Sequence, residues 1–236
     1  MTAIFKLLSV LLAYPDEELQ AAAGDIREAI LADTSITSLD RKGLLALADD
    51  LASGDLLDIQ ERYVFLFDRT RSLSLHLFEH IHGESRDRGQ AMVDLREMYE
   101  QAGLEISARE LPDYLPLFLE FLSMRPDDEA RALLNQTLHI IAAIGERLVK
   151  RESAYAVVFE SLVSLAAQRP NPEDLAALRE SPDDDPSDLQ ALDQVWEEEP
   201  VTFGPGTASS CPAERLGTKL RAAMRPVDEI RPRQGR

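Results

Sequence analysis

The opening stretch Thr2-Ala3-Ile4-Phe5-Lys6-Leu7-Leu8-Ser9-Val10-Leu11-Leu12 places apolar residues at Ile4, Leu7, Leu8, Leu11 and Leu12. That i, i+3, i+4, i+7, i+8 spacing belongs to a helix with one buried face. Tyr14-Pro15-Asp16 then supplies a stop and an N-cap for the next segment. The same period predicts helices over about residues 17–31, 39–52, 55–67, 85–101, 111–124, 127–150 and 154–168. No stretch of comparable length alternates with period two, so the chain reads as all-α, with residues 1–170 forming a single irregular helical bundle.

Composition narrows the function. The chain has 236 residues, 44% of them apolar and 29% charged, the balance of a folded, soluble protein. It carries 43 Asp and Glu against 25 Lys and Arg, a net charge of −18. Such a surface repels phosphate backbones, so nucleic acid is not the expected partner. The single Cys211 excludes an internal disulfide and fits a reducing cytoplasm. Lys6 sits inside the first hydrophobic run, and Asp16, Glu17 and Glu18 follow it, which argues against a signal peptide. No uncharged apolar stretch reaches the roughly 20 residues that span a bilayer, so direct membrane insertion is not expected.

The composition changes near residue 170. Residues 171–199 hold eleven acids and one arginine, Arg179, and read as an acidic, partly helical, mobile arm. Leu189, Leu192, Val195 and Trp196 would form an apolar face able to dock back, with the lone Trp as anchor. Residues 200–236 carry +4, leaving −22 on the rest, and read as a disordered basic tail. That tail either pairs loosely with the acidic arm or has no role.

Functional side-chain types concentrate between Phe67 and Gln90. His76 and His80, four residues apart, share a helix face as metal ligands do, and His82 joins only where a helix ends near Gly83. A metal- or pterin-handling centre on His76, His80 and His82 is one reading; histidines bonded within a helix contact is the other. Gly83 ends one helix and Ser85 caps the next, so Arg86 and Arg88 lie beside free backbone N–H groups, with Arg69 and Arg71 in the preceding turn. These four arginines are candidate contacts for a pyrophosphate or carboxylate, although Glu84 with Arg88 and Asp68 with Arg71 also have the spacing to pair locally. The G-x-x-x-x-G-K-[ST] spacing of a phosphate loop is missing.

In the second stretch, Glu110 to Leu122, the residues Leu115, Phe118, Leu119 and Leu122 face inward. Asp113, Leu117 and Glu120 form a lip of mixed character, suited to an amphipathic basic helix or simply solvated. No catalytic constellation is present in the sequence, and neither an enzyme activity nor a bound metal or cofactor is expected.

These stretches carry a resemblance. Phe67-Asp68-Arg69, Ser74-Leu75, the run from Leu77-Phe78-Glu79-His80-Ile81-His82-Gly83-Glu84-Ser85-Arg86-Asp87-Arg88-Gly89-Gln90 through Leu95, Glu110-Leu111-Pro112-Asp113, Leu115-Pro116-Leu117, Leu119-Glu120 and Val195-Trp196-Glu197-Glu198-Glu199 resemble the NarJ family. These are assembly chaperones of membrane-bound respiratory nitrate reductase, within the wider group of TorD-like helical chaperones. The resemblance covers roughly residues 1–203; it departs at Thr70, where the family pattern often has Gly, and after Phe203.

It implies a cytoplasmic chaperone, absent from the final enzyme, that binds the N-terminal segment of the apo catalytic (alpha) subunit and the apo alpha-beta complex. The client stays competent for molybdenum cofactor insertion before membrane attachment, and molybdenum cofactor biosynthesis proteins are further implied partners. The chaperone itself would need no cofactor. On that reading Glu79, His80, His82, Glu84, Asp113, Tyr114, Leu117 and Glu120 contact the client peptide, and Arg69, Arg71, Arg86 and Arg88 order the turn or touch cofactor pyrophosphate.

Overall fold

The computed structural model describes residues 2–82, 86–106, 110–183, 185 and 187; the side chains of Thr2, His82, Arg86 and Asp87 are outside what it describes. The helices are α1 (Thr2–Leu12), α2 (Glu17–Ala21), α3 (Ala23–Ala32), α4 (Ser38–Ser53), α5 (Leu56–Phe67), α6 (Glu79–His82), α7 (Arg86–Gln101), α8 (Leu115–Ser123), α9 (Asp127–Lys150), α10 (Ala156–Leu165) and α11 (Pro172–Glu180). One 3-10 turn, Arg71–Leu73, lies between α5 and α6. Among the described residues the only β pairing is an isolated antiparallel bridge between His76 and Tyr114, so the all-α expectation holds.

Local chemistry sets most boundaries. Asp16 accepts from the Leu19 N–H at 2.8 Å, Thr37 from Asp40 at 3.1 Å, Asp55 from Leu57 at 3.0 Å and Asn171 from Glu173 at 2.9 Å. Each side chain satisfies a donor that the first helical turn leaves free. Helix α9 has Asp127, Asp128 and Glu129 in its first turn and Arg147 and Lys150 in its last, the order that the helix dipole favours.

Two predicted boundaries are corrected. The helix expected over 17–31 breaks at Ala22, where the run Ala21-Ala22-Ala23-Gly24 offers no side-chain bulk to resist a bend, and α2 and α3 both pack on α4. The helix expected from 111 starts at Leu115, because residues 111–114 serve the bridge to His76.

The five apolar residues that open the chain are all buried, and α1 lies along α8. Helix α9 is the central element: α8, α10 and α11 pack on it, and Leu133, Leu134, Leu138, Ile140, Ile141, Ile144 and Leu148 are buried along it. Helix α11 forms the first part of the stretch read as an acidic, partly helical arm. Leu175 and Leu178 are buried against α9, Arg179 pairs with Glu146, and Asp183 receives Lys150 and Arg151 at 3.0 and 2.7 Å. The Leu189–Trp196 face and the tail at 200–236 lie outside the described residues.

Two glycines allow close helix approach. A Cβ on Gly43 would meet Val157 Cγ2 at 2.5 Å and its Cβ at 3.1 Å, and one on Gly145 would meet the Phe159 Cβ at 3.0 Å. Gly24, in contrast, has open space around it. Gly24→Ala should therefore stabilise by about 0.5 kcal/mol through helix propensity. Gly43→Ala should destabilise by about 1 kcal/mol, since overpacking against a stiff β-branched neighbour exceeds the same gain. Denaturant unfolding of the two variants checks the opposite signs.

Candidate functional site

Between α5 and α6 the chain leaves helical geometry and passes through the interior, with Thr70, Ser72, Leu73, Ser74, Leu75, Leu77 and Phe78 all buried. Its backbone groups need partners that no helix supplies. Leu115 N–H donates to Leu75 O at 2.8 Å, and Leu77 N–H donates to Asp113 O at 3.0 Å. The Asp113 carboxylate accepts from Phe78 N–H at 3.0 Å and from His76 Nδ1 at 3.2 Å. His80 Nε2 donates to Ser74 O at 2.8 Å. From α9, Arg147 Nη1 donates to Ser72 O at 2.8 Å while Nη2 reaches Leu178 O at 2.8 Å and Ser181 O at 3.2 Å. The two sequence stretches singled out above thus meet, joined by Asp113.

The predicted residues divide accordingly. Asp113 is fully buried, so it holds the loop from inside and does not form the lip expected of it. His80 spends its Nε2 proton on a carbonyl and cannot offer that nitrogen to a metal. Among the described residues no group of three metal-ligating side chains gathers, and the histidine-centred metal reading finds no support in His76 or His80. Tyr114 is half-buried; its hydroxyl lies 2.9 Å from that of Tyr63, which donates to Leu12 O at 2.8 Å. Leu117 is half-buried, and Glu120 is half-exposed in an ion pair with Lys6.

Glu79 accepts from Arg88 at 3.1 Å, while Arg69 lies over the Phe65 ring at 5.6 Å. Two of the four arginines are therefore engaged by different elements, and Arg71 opens the 3-10 turn. Arg86 opens α7, but its side chain, that of His82 and the whole of Glu84 fall outside the described residues.

Burial and charge tune the two histidines in opposite directions. Burial acts to lower the His76 pKa, but the hydrogen bond and charge of Asp113, with Glu79 behind them, outweigh it and the net shift is upward. Burial pushes His80 down, and the Arg147 charge adds to this. Desolvation raises the pKa of Tyr63, Tyr99 and Tyr114, so these phenols act as neutral hydrogen-bonding groups.

Next to Tyr114 lies a surface that sequence reasoning missed. Helix α5 buries Ile59, Tyr63, Leu66 and Phe67 but also turns Leu57, Gln60, Glu61, Val64 and Phe65 outward. With Tyr14 and Arg69 they line a depression of about 370 Å³. Leu57 is 73% exposed and Tyr14 49%. Tyr14 meets Tyr63 edge-on at 5.5 Å, and Tyr63 leads on to Tyr114, so the aromatic surface is continuous with the predicted site. Asp68 and Glu110 place negative charge around Tyr114. The available signal was the excess of apolar residues on α5, too many for one buried stripe.

The model of the family described as "Nitrate reductase delta subunit" matches residues 14–161, more than half of the chain. The chain belongs to that family. Similar members include the "Nitrate reductase molybdenum cofactor assembly chaperone NarJ" of Escherichia coli K12, 48% identical over 84% of this chain and 83% of that protein. The "Probable nitrate reductase molybdenum cofactor assembly chaperone NarW" of the same strain is 42% identical over 90% and 89%. A crystal structure of a "Putative Redox Enzyme Maturation Protein" from Archaeoglobus fulgidus is 23% identical and shares the fold, with a TM-score of 0.50 over 69% of this chain and 91% of that one. The span matched by the delta subunit family contains the buried loop, Asp113 and Arg147, whereas α11 lies beyond it.

Two outcomes are expected. Arg147→Met should lower stability by about 3 kcal/mol or more, because the Ser72, Leu178 and Ser181 carbonyls lose their donors together; denaturant unfolding measures this. The raised pKa of His76 makes its contribution complete below the unfolded value of about 6.5 and lost as pH rises through the folded value. The destabilisation caused by His76→Gln should therefore be larger at about pH 5.5 than at about pH 8.5, as unfolding curves at the two pH values would show.

Proposed function

We propose that this chain is a dedicated assembly chaperone of respiratory nitrate reductase that binds the N-terminal segment of the apo catalytic (alpha) subunit. It acts in the cytoplasm on the apo alpha-beta complex, keeps it competent for molybdenum cofactor insertion before membrane attachment, and leaves the finished enzyme. It is a binding protein, not a catalyst, and holds no cofactor of its own. The names of the relatives support the chaperone role. Among the described residues no helix is long and apolar enough to cross a membrane.

The observation that carries the client-binding reading is the exposed apolar face of α5 and Tyr14, continuous with Tyr114 and bordered by Glu61, Asp68 and Glu110. Exposed apolar area of this kind marks an interaction surface. An amphipathic guest helix would set its apolar side on Leu57, Val64 and Phe65 while the carboxylates select a basic flank. Tyr114, at the N-cap of α8, and Leu117 and Glu120 on it stand as further proposed client contacts. Glu79, paired with Arg88, stands with Asp113 and His80 as a proposed positioning residue. His82, Glu84, Arg69, Arg71 and Arg86 stand as further contacts proposed for the client or for cofactor pyrophosphate.

Calorimetric titration with a peptide of the first 15 or so residues of the catalytic subunit tests this. The unmodified protein should bind saturably, Phe65→Asp should weaken binding by about tenfold or more, and Glu61→Lys should weaken it less. Binding of equal strength to all three proteins would move the client off α5; no binding to any would remove this segment as the client.

A further inference from the structure

Arg147 and Arg151 stand about one helical turn apart at the end of α9 and reach in two directions. On one side lies Ser72 of the interior loop: Arg147 Nη1 donates to its carbonyl at 2.8 Å and Arg151 Nη2 to its hydroxyl at 3.3 Å. On the other lies the end of α11, where Arg147 Nη2 donates to Leu178 O at 2.8 Å and Ser181 O at 3.2 Å, and Arg151 Nη2 to Asp183 at 2.7 Å. Ser72 is 4% exposed and Arg147 8%, so the Arg147 bridge runs through the interior and not through water.

Helix α11 itself is lightly held. Leu175 and Leu178 are its buried residues, while Ala176 and Ala177 face solvent. The Arg179–Glu146 pair is half-exposed, so salt screens it and it adds little. Nine residues are too few for a helix to persist alone in water, so leaving α9 and unfolding are one event for α11. A segment with so few buried contacts opens far more often than the core. The end of α11 also depends on α9 for its hydrogen bonding. The Leu178 carbonyl would look to residue 182 for its helical donor, and Pro182 has none, so Arg147 supplies it.

The two ends of the bridge are therefore linked. Docked α11 fixes the Arg147 guanidinium, and Ser72 O then receives its donor without a further loss of side-chain freedom. When α11 lifts, the same side chain is released to water and its bond to Ser72 has to be ordered anew. Ser72 precedes the run that Leu75 and Leu77 tie to Leu115 and Asp113. Its loosening reaches the start of α8.

We propose that α11 is a strap that opens and closes on α9 and sets the order of the Ser72–Phe78 loop through Arg147 and Arg151. That the strap thereby tunes the Tyr114 side of the client surface rests on the function proposed above. The coupling itself does not, and it is measured without a client.

Native-state hydrogen exchange on the full chain tests the coupling at the Ser74, Leu77 and Phe78 amides, with Leu47 and Ala48 of α4 as controls. Replacing both docking leucines, Leu175→Asp with Leu178→Asp, should strip protection from α11 and speed exchange of the three loop amides by about tenfold or more, with a smaller change in α4. Asp183→Asn, which leaves the leucines in place, should give the same pattern at about threefold. With Arg147→Lys, whose single ammonium cannot span Ser72 O and Leu178 O, the leucine substitutions should no longer affect the loop. Loop exchange that stays unchanged while α11 loses its protection would overturn the proposal. So would an equal change in the loop and α4 in both variants, α11 amides that stay protected despite the two aspartates, or a loop response that survives Arg147→Lys.

Discussion

A stretch of non-helical backbone crosses the interior between α5 and α6, and its polar groups have to be satisfied there. Helices can be buried because their amides and carbonyls are paired internally; beyond its single 3-10 turn this loop has no such provision. Asp113 answers from the α7–α8 connection, His80 from α6 and Arg147 from α9. Three elements far apart in sequence are thereby fixed to one loop. Arg147 extends the link to the end of α11 through the Leu178 and Ser181 carbonyls. The position of α11, the start of α8 and the geometry around Tyr114 all follow from that requirement.

Asp113, His80 and Arg147 are spent on internal backbone, whereas the depression on α5 is lined by Tyr14, Leu57, Val64 and Phe65 with Gln60, Glu61 and Arg69. That division suits holding a client over altering it chemically. The client face proposed on Leu57, Val64 and Phe65 would tolerate sequence variation in its guest, since apolar contact is not directional. The acids proposed around it would discriminate by charge. The loop is held by bonds from Asp113, His80 and Arg147, and a surface formed before a guest arrives needs less ordering on binding.

The helical period was legible wherever one face is buried and the other solvated. Residues 127–150 show this best, since the acidic first turn, basic last turn and apolar stripe agree and the predicted and observed ends coincide. Residues 17–31 show the limit: the period continues through Ala22, and the bend there depends on packing against α4. The importance of Glu79, His80, Asp113 and Tyr114 was also legible, as an unusual density of polar types. Their roles were not. An aspartate at the margin of an amphipathic stretch has the same local pattern whether it faces water or the buried N–H of Phe78, 35 residues away.

The sequence by itself determined the all-α class, most helix ends and the family, because these rest on short-range periodicity, caps and residue identity. Tertiary structure alone decided that Asp113 is interior, that α11 docks on α9, and that α5 keeps a second apolar face in solvent. The reason is physical: burial and hydrogen-bond partnership are set by what lies across the fold, and in this protein the deciding partners are separated by 31 to 75 residues of chain.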